Sequence, residues 1–207
     1  MILIFARILY PHPENLERES PELKAKGLTT PYWFYVAAVS LVGTGYVDFP
    51  LIAYHFEQNR IVSAVWTPII YSIAMGTGGL AALILGKLFD RKGLNVIIWA
   101  TLISSFFTPL VFLLDSFWSA LVGMILWGLG LGAHESIIPA FVANLVSMNK
   151  RGTAYGMLNI WLGVFWFLGS TLMGYLYDIS ILKLVIFSMV AQLISIPLFI
   201  TVRNATR

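Results

Sequence analysis

At 207 residues, 58% hydrophobic and only 11% charged, the chain carries more apolar sequence than a water-soluble core absorbs, since ordinary soluble domains are about 25% charged. It contains no cysteine, which removes disulfides, thiolate chemistry and zinc–sulfur sites. The net charge of +3 says little about partners, because in a membrane protein the placement of cations matters more than their sum.

The opening run Met1–Ala6 is too short for a secretory leader, and Arg7 ends it without a cleavage site of small residues. Tyr10–Thr30 is polar and rich in proline and glutamate, and reads as a linker. Six apolar stretches follow, each close to the ~20 residues that a bilayer-spanning helix needs. They are Pro31–Tyr54, Val62–Leu85, Val96–Leu114, Trp118–Val146, Ala154–Tyr177 and Ile181–Val202. Backbone groups in hydrocarbon must pair within their own segment, so these stretches are expected to be helices. A transmembrane barrel would show alternating ten-residue strands, and none is present. The expected fold is therefore all-α: a polytopic membrane protein of six transmembrane helices.

Cations alternate between the connections. One set holds Arg7, Arg18, Lys24, Lys26, Lys87, Arg91, Lys92, Lys150, Arg151, Arg203 and Arg207; the other holds Arg60 and Lys183. Basic loops stay in the cytoplasm, so both termini are expected there, in a cell membrane.

Two patterns recur at nearly constant spacing. Gly43-Thr44-Gly45-Tyr46-Val47-Asp48 in the first span matches Gly130-Leu131-Gly132-Ala133-His134-Glu135 in the fourth. Gly86-Lys87-Leu88-Phe89-Asp90 after the second matches Gly174-Tyr175-Leu176-Tyr177-Asp178 after the fifth. The chain thus reads as two tandem triplets, 31–114 and 118–202. Three spans are an odd number, so the second triplet is inverted.

The charged run Gly86-Lys87-Leu88-Phe89-Asp90-Arg91-Lys92-Gly93 reads as a water-facing turn between two spans. Its G-x-L-x-D-R-x-G pattern resembles the loop between the second and third helices of a six-helix half in the major facilitator superfamily. The whole chain resembles the C-terminal half of such a transporter. On that resemblance Met1–Leu9 is the end of a truncated sixth helix, and Tyr10–Thr30 is the central cytoplasmic linker. The resemblance implies a secondary transporter for a small solute, working by alternating access and driven by protons. It also implies a gate at Gly86, Asp90, Arg91 and Gly93, and a missing bundle supplied by a homodimer or a separate N-terminal half. A non-transporting membrane subunit, or a truncated remnant, is the alternative.

The residues themselves offer four candidates for a solute or proton site. Charges inside a span cost at least ~2.5–3.5 kcal/mol, so they usually face a cavity or a partner. Asp48 late in the first span and His134-Glu135 inside the fourth meet that description. Adjacent helical residues point about 100° apart, so one of His134 and Glu135 is expected to line a cavity and the other to touch a neighbouring helix. Asn159 in the fifth span is a candidate hydrogen-bonding group, either to solute or between helices. The glycines of the second and fifth spans, Gly76, Gly78, Gly79, Gly156, Gly163, Gly169 and Gly174, read as packing notches. Lys150 and Arg151 read as topology anchors.

No catalytic set converges. The zinc-protease pattern H-E-x-x-H fails because position 138 is Ile, and the Lys-Ser/Thr of a phosphate loop is absent. No cofactor, metal ion or nucleic acid is expected. The expected partners are the bilayer and a small solute. No Lys or Arg lies deep in a span, which favours a neutral or cationic solute over an anion.

Overall fold

Prolines decide where the spans break. The computed structural model describes residues 27–206, and six of its helical stretches are long and apolar enough to cross a membrane. The expectations for Met1–Leu9 and for the linker up to residue 26 lie outside the described residues. The first span is two helices, α1 (Thr30–Gly45) and α2 (Phe49–Gln58). The third is also two, α4 (Asn95–Ser104) and α5 (Phe107–Phe112). Between them α3 (Trp66–Lys92) is continuous, as are α6 (Phe117–Leu145), α7 (Arg151–Ile179) and α8 (Ile181–Ala205).

Both interruptions sit just upstream of a proline. Pro50 has no N–H to give the Tyr46 carbonyl, and its ring crowds that group; Pro109 stands in the same relation to Ser105. The unbroken first and third spans expected from hydropathy are corrected accordingly. Pro139 and Pro197, by contrast, sit inside α6 and α8 without ending them.

A broken helix frees backbone carbonyls, and in a membrane protein they need donors from within the chain. At the first break, α8 and α6 supply them. Ser188 Oγ donates to the Gly45 carbonyl at 2.6 Å, and Gln192 Nε2 reaches it at 3.3 Å. Trp127 Nε1 donates to the Val47 carbonyl at 2.9 Å. Ser188 also lies 2.8 Å from Thr108 Oγ1 on α5. The two breaks are therefore joined by one buried polar path through α8.

The packing has an exchange symmetry. The first span packs mainly on the fifth and sixth; the fourth packs mainly on the second and third. Swapping the two triplets maps each of these pairs onto its counterpart. The closest approaches also come in counterparts. Gly128 and Gly132 of α6 lie against the backbone of Ala74 and Gly78 in α3, while Gly169 of α7 lies against the backbone of Thr44 in α1. Of the glycines expected to be notches, Gly78 and Gly169 are. Gly76, Gly79, Gly156, Gly163 and Gly174 have nothing within 4 Å of a would-be Cβ.

The repeated G-x-G-x-x-acid pattern does not repeat in conformation: Asp48 sits at the break before α2, whereas Glu135 lies within continuous α6. The expected turn from Gly86 is also shorter than the sequence implied. Helix α3 runs through Asp90, Arg91 and Lys92, and Gly93 stops it with φ of 57° and ψ of −145°, a region that glycine tolerates best. Cations at a helix C-terminus complement its dipole, which explains why hydropathy ends before the helix does.

At the Gly93 end of the bundle three cations tie elements together. Arg151 Nη2 donates to the Ala143 carbonyl at 2.8 Å, closing the α6–α7 hairpin. Arg203 Nη1 donates to Asn95 Oδ1 at 2.8 Å, joining α8 to α4. Lys150 Nζ reaches the Gly27 carbonyl at 3.2 Å. Lys150 and Arg151 thus make specific contacts beyond the anchoring that their charge implies. At the opposite end, buried His55 of α2 lies 3.0 Å from the Tyr177 hydroxyl of α7 through Nδ1, and its ring packs against Phe112 of α5.

Candidate functional site

Three helices with different roles in the packing enclose a cavity of about 360 Å³. Its walls come from α1 (Val39, Val42), α6 (Leu131, Ile138) and α7 (Leu158, Leu162), with Glu135, His134 and Asn159 among them. The volume falls in the ~300–1,000 Å³ range of small-molecule sites. The walls are mostly apolar, and among the described residues no Lys or Arg lines the space.

Helical geometry gives His134 and Glu135 different surroundings, although both border the cavity. Glu135 is exposed and faces the cavity, while the bulk of His134 is buried. His134 Nε2 lies 3.4 Å from Thr101 Oγ1 on α4, and the ring meets Tyr46 edge-on at 5.6 Å. His134 thus bridges α6 to the third span while its ring still borders the cavity, and Glu135 faces the cavity without such a partner. Pro139 adds a second acceptor beside it: a helical proline at that position withholds the N–H that would bond the Glu135 carbonyl.

Asp48 is held elsewhere. At the break its carboxylate accepts Trp166 Nε1 at 2.6 Å and the Ser170 hydroxyl, both from α7. Trp166 belongs to the main cavity and also to an adjoining cleft of about 430 Å³ that contains Asp48, Asn159 and Ser170. Asn159 lines both spaces and is exposed. The four sequence candidates are therefore gathered around neighbouring spaces. The Gly86, Asp90, Arg91 and Gly93 group belongs to neither: Asp90 and Arg91 are exposed at the end of α3.

Sequence reasoning missed the aromatic frame of the site. Tyr46 is fully buried at the break, donates to the Trp127 carbonyl, and touches Phe107, Trp127 and Trp166. Tyr155 donates to the Pro139 carbonyl at 2.9 Å. A tyrosine or tryptophan in a span reads as belt or bulk, and only the nearby prolines and glycines mark where a broken backbone asks for donors.

The family model of the Major Facilitator Superfamily matches residues 1–170. The chain belongs to this superfamily. As a superfamily member with six helices among its described residues long and apolar enough to cross a membrane, it is a multi-pass membrane protein. Uncharacterized proteins of Mycobacterium tuberculosis and Mycobacterium bovis are similar to it, 27% identical over 98% of this chain and 51% of their own length. A D-xylose transporter of Levilactobacillus brevis is 28% identical over 51% of this chain and 21% of the transporter. The chain spans about half the length of the uncharacterized relatives.

Proposed function

We propose that this chain is one six-helix half of a secondary transporter of the major facilitator superfamily. It moves a small solute by alternating access, draws on a proton gradient, and has both termini in the cytoplasm. The observation that carries this reading is the cavity between α1, α6 and α7, which Glu135 lines with no Lys or Arg among the described residues of the wall. An acid within a membrane span is expensive unless it binds something, and a proton or a cationic group is what such a group binds. A second bundle, either another copy of this chain or a separate half, closes the open side. In this reading Asp90 and Arg91, which are exposed at the end of α3, meet that bundle and bias its two positions.

The test is uptake into proteoliposomes with an imposed pH gradient, with the chain reconstituted alone and with a separate N-terminal half. Glu135→Gln is expected to lose gradient-driven uptake by about a hundredfold, the effect of removing an essential proton-transfer group. Full uptake by Glu135→Gln would remove Glu135 from the mechanism.

A further inference from the structure

We infer that the cavity between α1, α6 and α7 accepts an organic cation with an apolar body, in preference to a sugar-like polyol or an anion. This rests on the reading of that cavity as the solute site. What decides the ligand class is which polar groups in the wall are still free to bind.

A polyol asks its site for many donors and acceptors; an anion asks for donors or cations. Here the wall donors are largely committed within the protein. The Tyr46 hydroxyl donates to the Trp127 carbonyl, Tyr155 to the Pro139 carbonyl, and Trp166 Nε1 to Asp48. His134 is turned towards Thr101. The groups left facing the space are the Glu135 carboxylate and the Asn159 amide, both exposed and neither hydrogen-bonded to another described residue. Hydroxyls that donate elsewhere keep lone pairs, so the wall is rich in acceptors and poor in donors.

A cation with an apolar body fits each feature. Its charge pairs with Glu135, which has no counter-charge among the described residues of the wall. Its body lies against Val39, Val42, Leu158 and Leu162. Tyr46, Tyr155 and Trp166 also border the space, and aromatic rings attract positive charge through their quadrupoles. A sugar in the same place would leave several hydroxyls unpaired, and each such loss is costly when the group is desolvated.

The experiment is equilibrium binding of N-methyl-4-phenylpyridinium, whose charge does not titrate, to the full chain in lipid nanodiscs. D-xylose and benzoate serve as competitors. Saturable binding is expected, weakened about tenfold or more by Glu135→Gln, as loss of a charge-assisted contact implies. Glu135→Asp, which keeps the charge, recovers part of that loss and shows that the fold tolerates change at this position. Neither competitor displaces the cation. Absence of saturable cation binding, wild-type affinity in Glu135→Gln, or displacement by D-xylose or benzoate would overturn the inference. Cation binding without gradient-driven uptake would remove the transport reading and leave this inference standing. Uptake of a polyol or an anion with no cation binding would do the reverse.

Discussion

Gly132→Leu is expected to prevent α6 from seating against α3. Gly132 lies so close to the Gly78 backbone that even a Cβ would overlap it, and Gly128 stands in the same relation to Ala74. These are backbone atoms of a continuous helix, so no side-chain rotation relieves the clash. The two helices would have to separate along their whole contact, and membrane helices rely on such close packing because lipid supplies no hydrophobic drive between them. The cost should sit at or above the top of the ~1–3 kcal/mol range for overpacking. That corresponds to a fall in melting temperature of roughly 10 °C for a chain of this size. Gly79→Ala is the control: it is the neighbour of Gly78 on α3 but is exposed, and among the described residues nothing lies within 4 Å of its would-be Cβ. It should melt at or slightly above the wild-type temperature, because alanine favours a helix over glycine by up to ~1 kcal/mol. Thermal unfolding of both variants in detergent checks the pair, and equal melting temperatures would contradict the packing described.

Asp48→Ala is expected to loosen the first span from α7. The carboxylate takes hydrogen bonds from Trp166 and Ser170 across the helix break. Bonds to a charged acceptor contribute about 1.5–3 kcal/mol when their partners are desolvated. The substitution leaves the Trp166 N–H and the Ser170 hydroxyl without that acceptor. Trp166→Phe removes the N–H while keeping an aromatic body in the cavity wall. The two changes share one interaction, so the double variant should lose less unfolding free energy than the two single losses combined. A coupling on the order of 1 kcal/mol is expected. Strict additivity in mixed micelles would mean that Asp48 and Trp166 do not act together.

The membrane fold was legible because its cause is coarse. Six long apolar stretches and an alternation of cations need no side-chain detail, and each stretch corresponds to a span in the structure. The breaks were not read, although Pro50 and Pro109 announce them, because hydropathy is blind to a missing N–H. The end of α3 was misplaced for a related reason: Lys87, Asp90, Arg91 and Lys92 are charged yet helical, and hydropathy reports the membrane boundary and not the helix boundary. The 100° step of a helix accounts for the contact of His134 with Thr101, but not for His134 bordering the cavity together with Glu135. The partners of Asp48 were not, since Trp166 and Ser170 lie more than a hundred positions away. Repetition in sequence was a partial guide. The exchange of contacts between the first three and last three spans is in keeping with it, but Asp48 and Glu135 occupy unlike backbones despite matching letters.

The most direct test of the solute cavity uses a property of the chain itself. With no native cysteine, the Asn159→Cys variant carries a single thiol inside the proposed site. Leu83→Cys places one on the outer face of α3, where Leu83 is 68% exposed and out of the cavity wall. A membrane-impermeant thiol reagent should modify the Asn159→Cys variant in proteoliposomes from an aqueous side, more slowly when N-methyl-4-phenylpyridinium is present, and should leave the Leu83→Cys variant untouched. Failure of that reagent to reach position 159 from either side, with rapid modification there by a lipid-soluble maleimide, would place α7 against hydrocarbon and contradict the account.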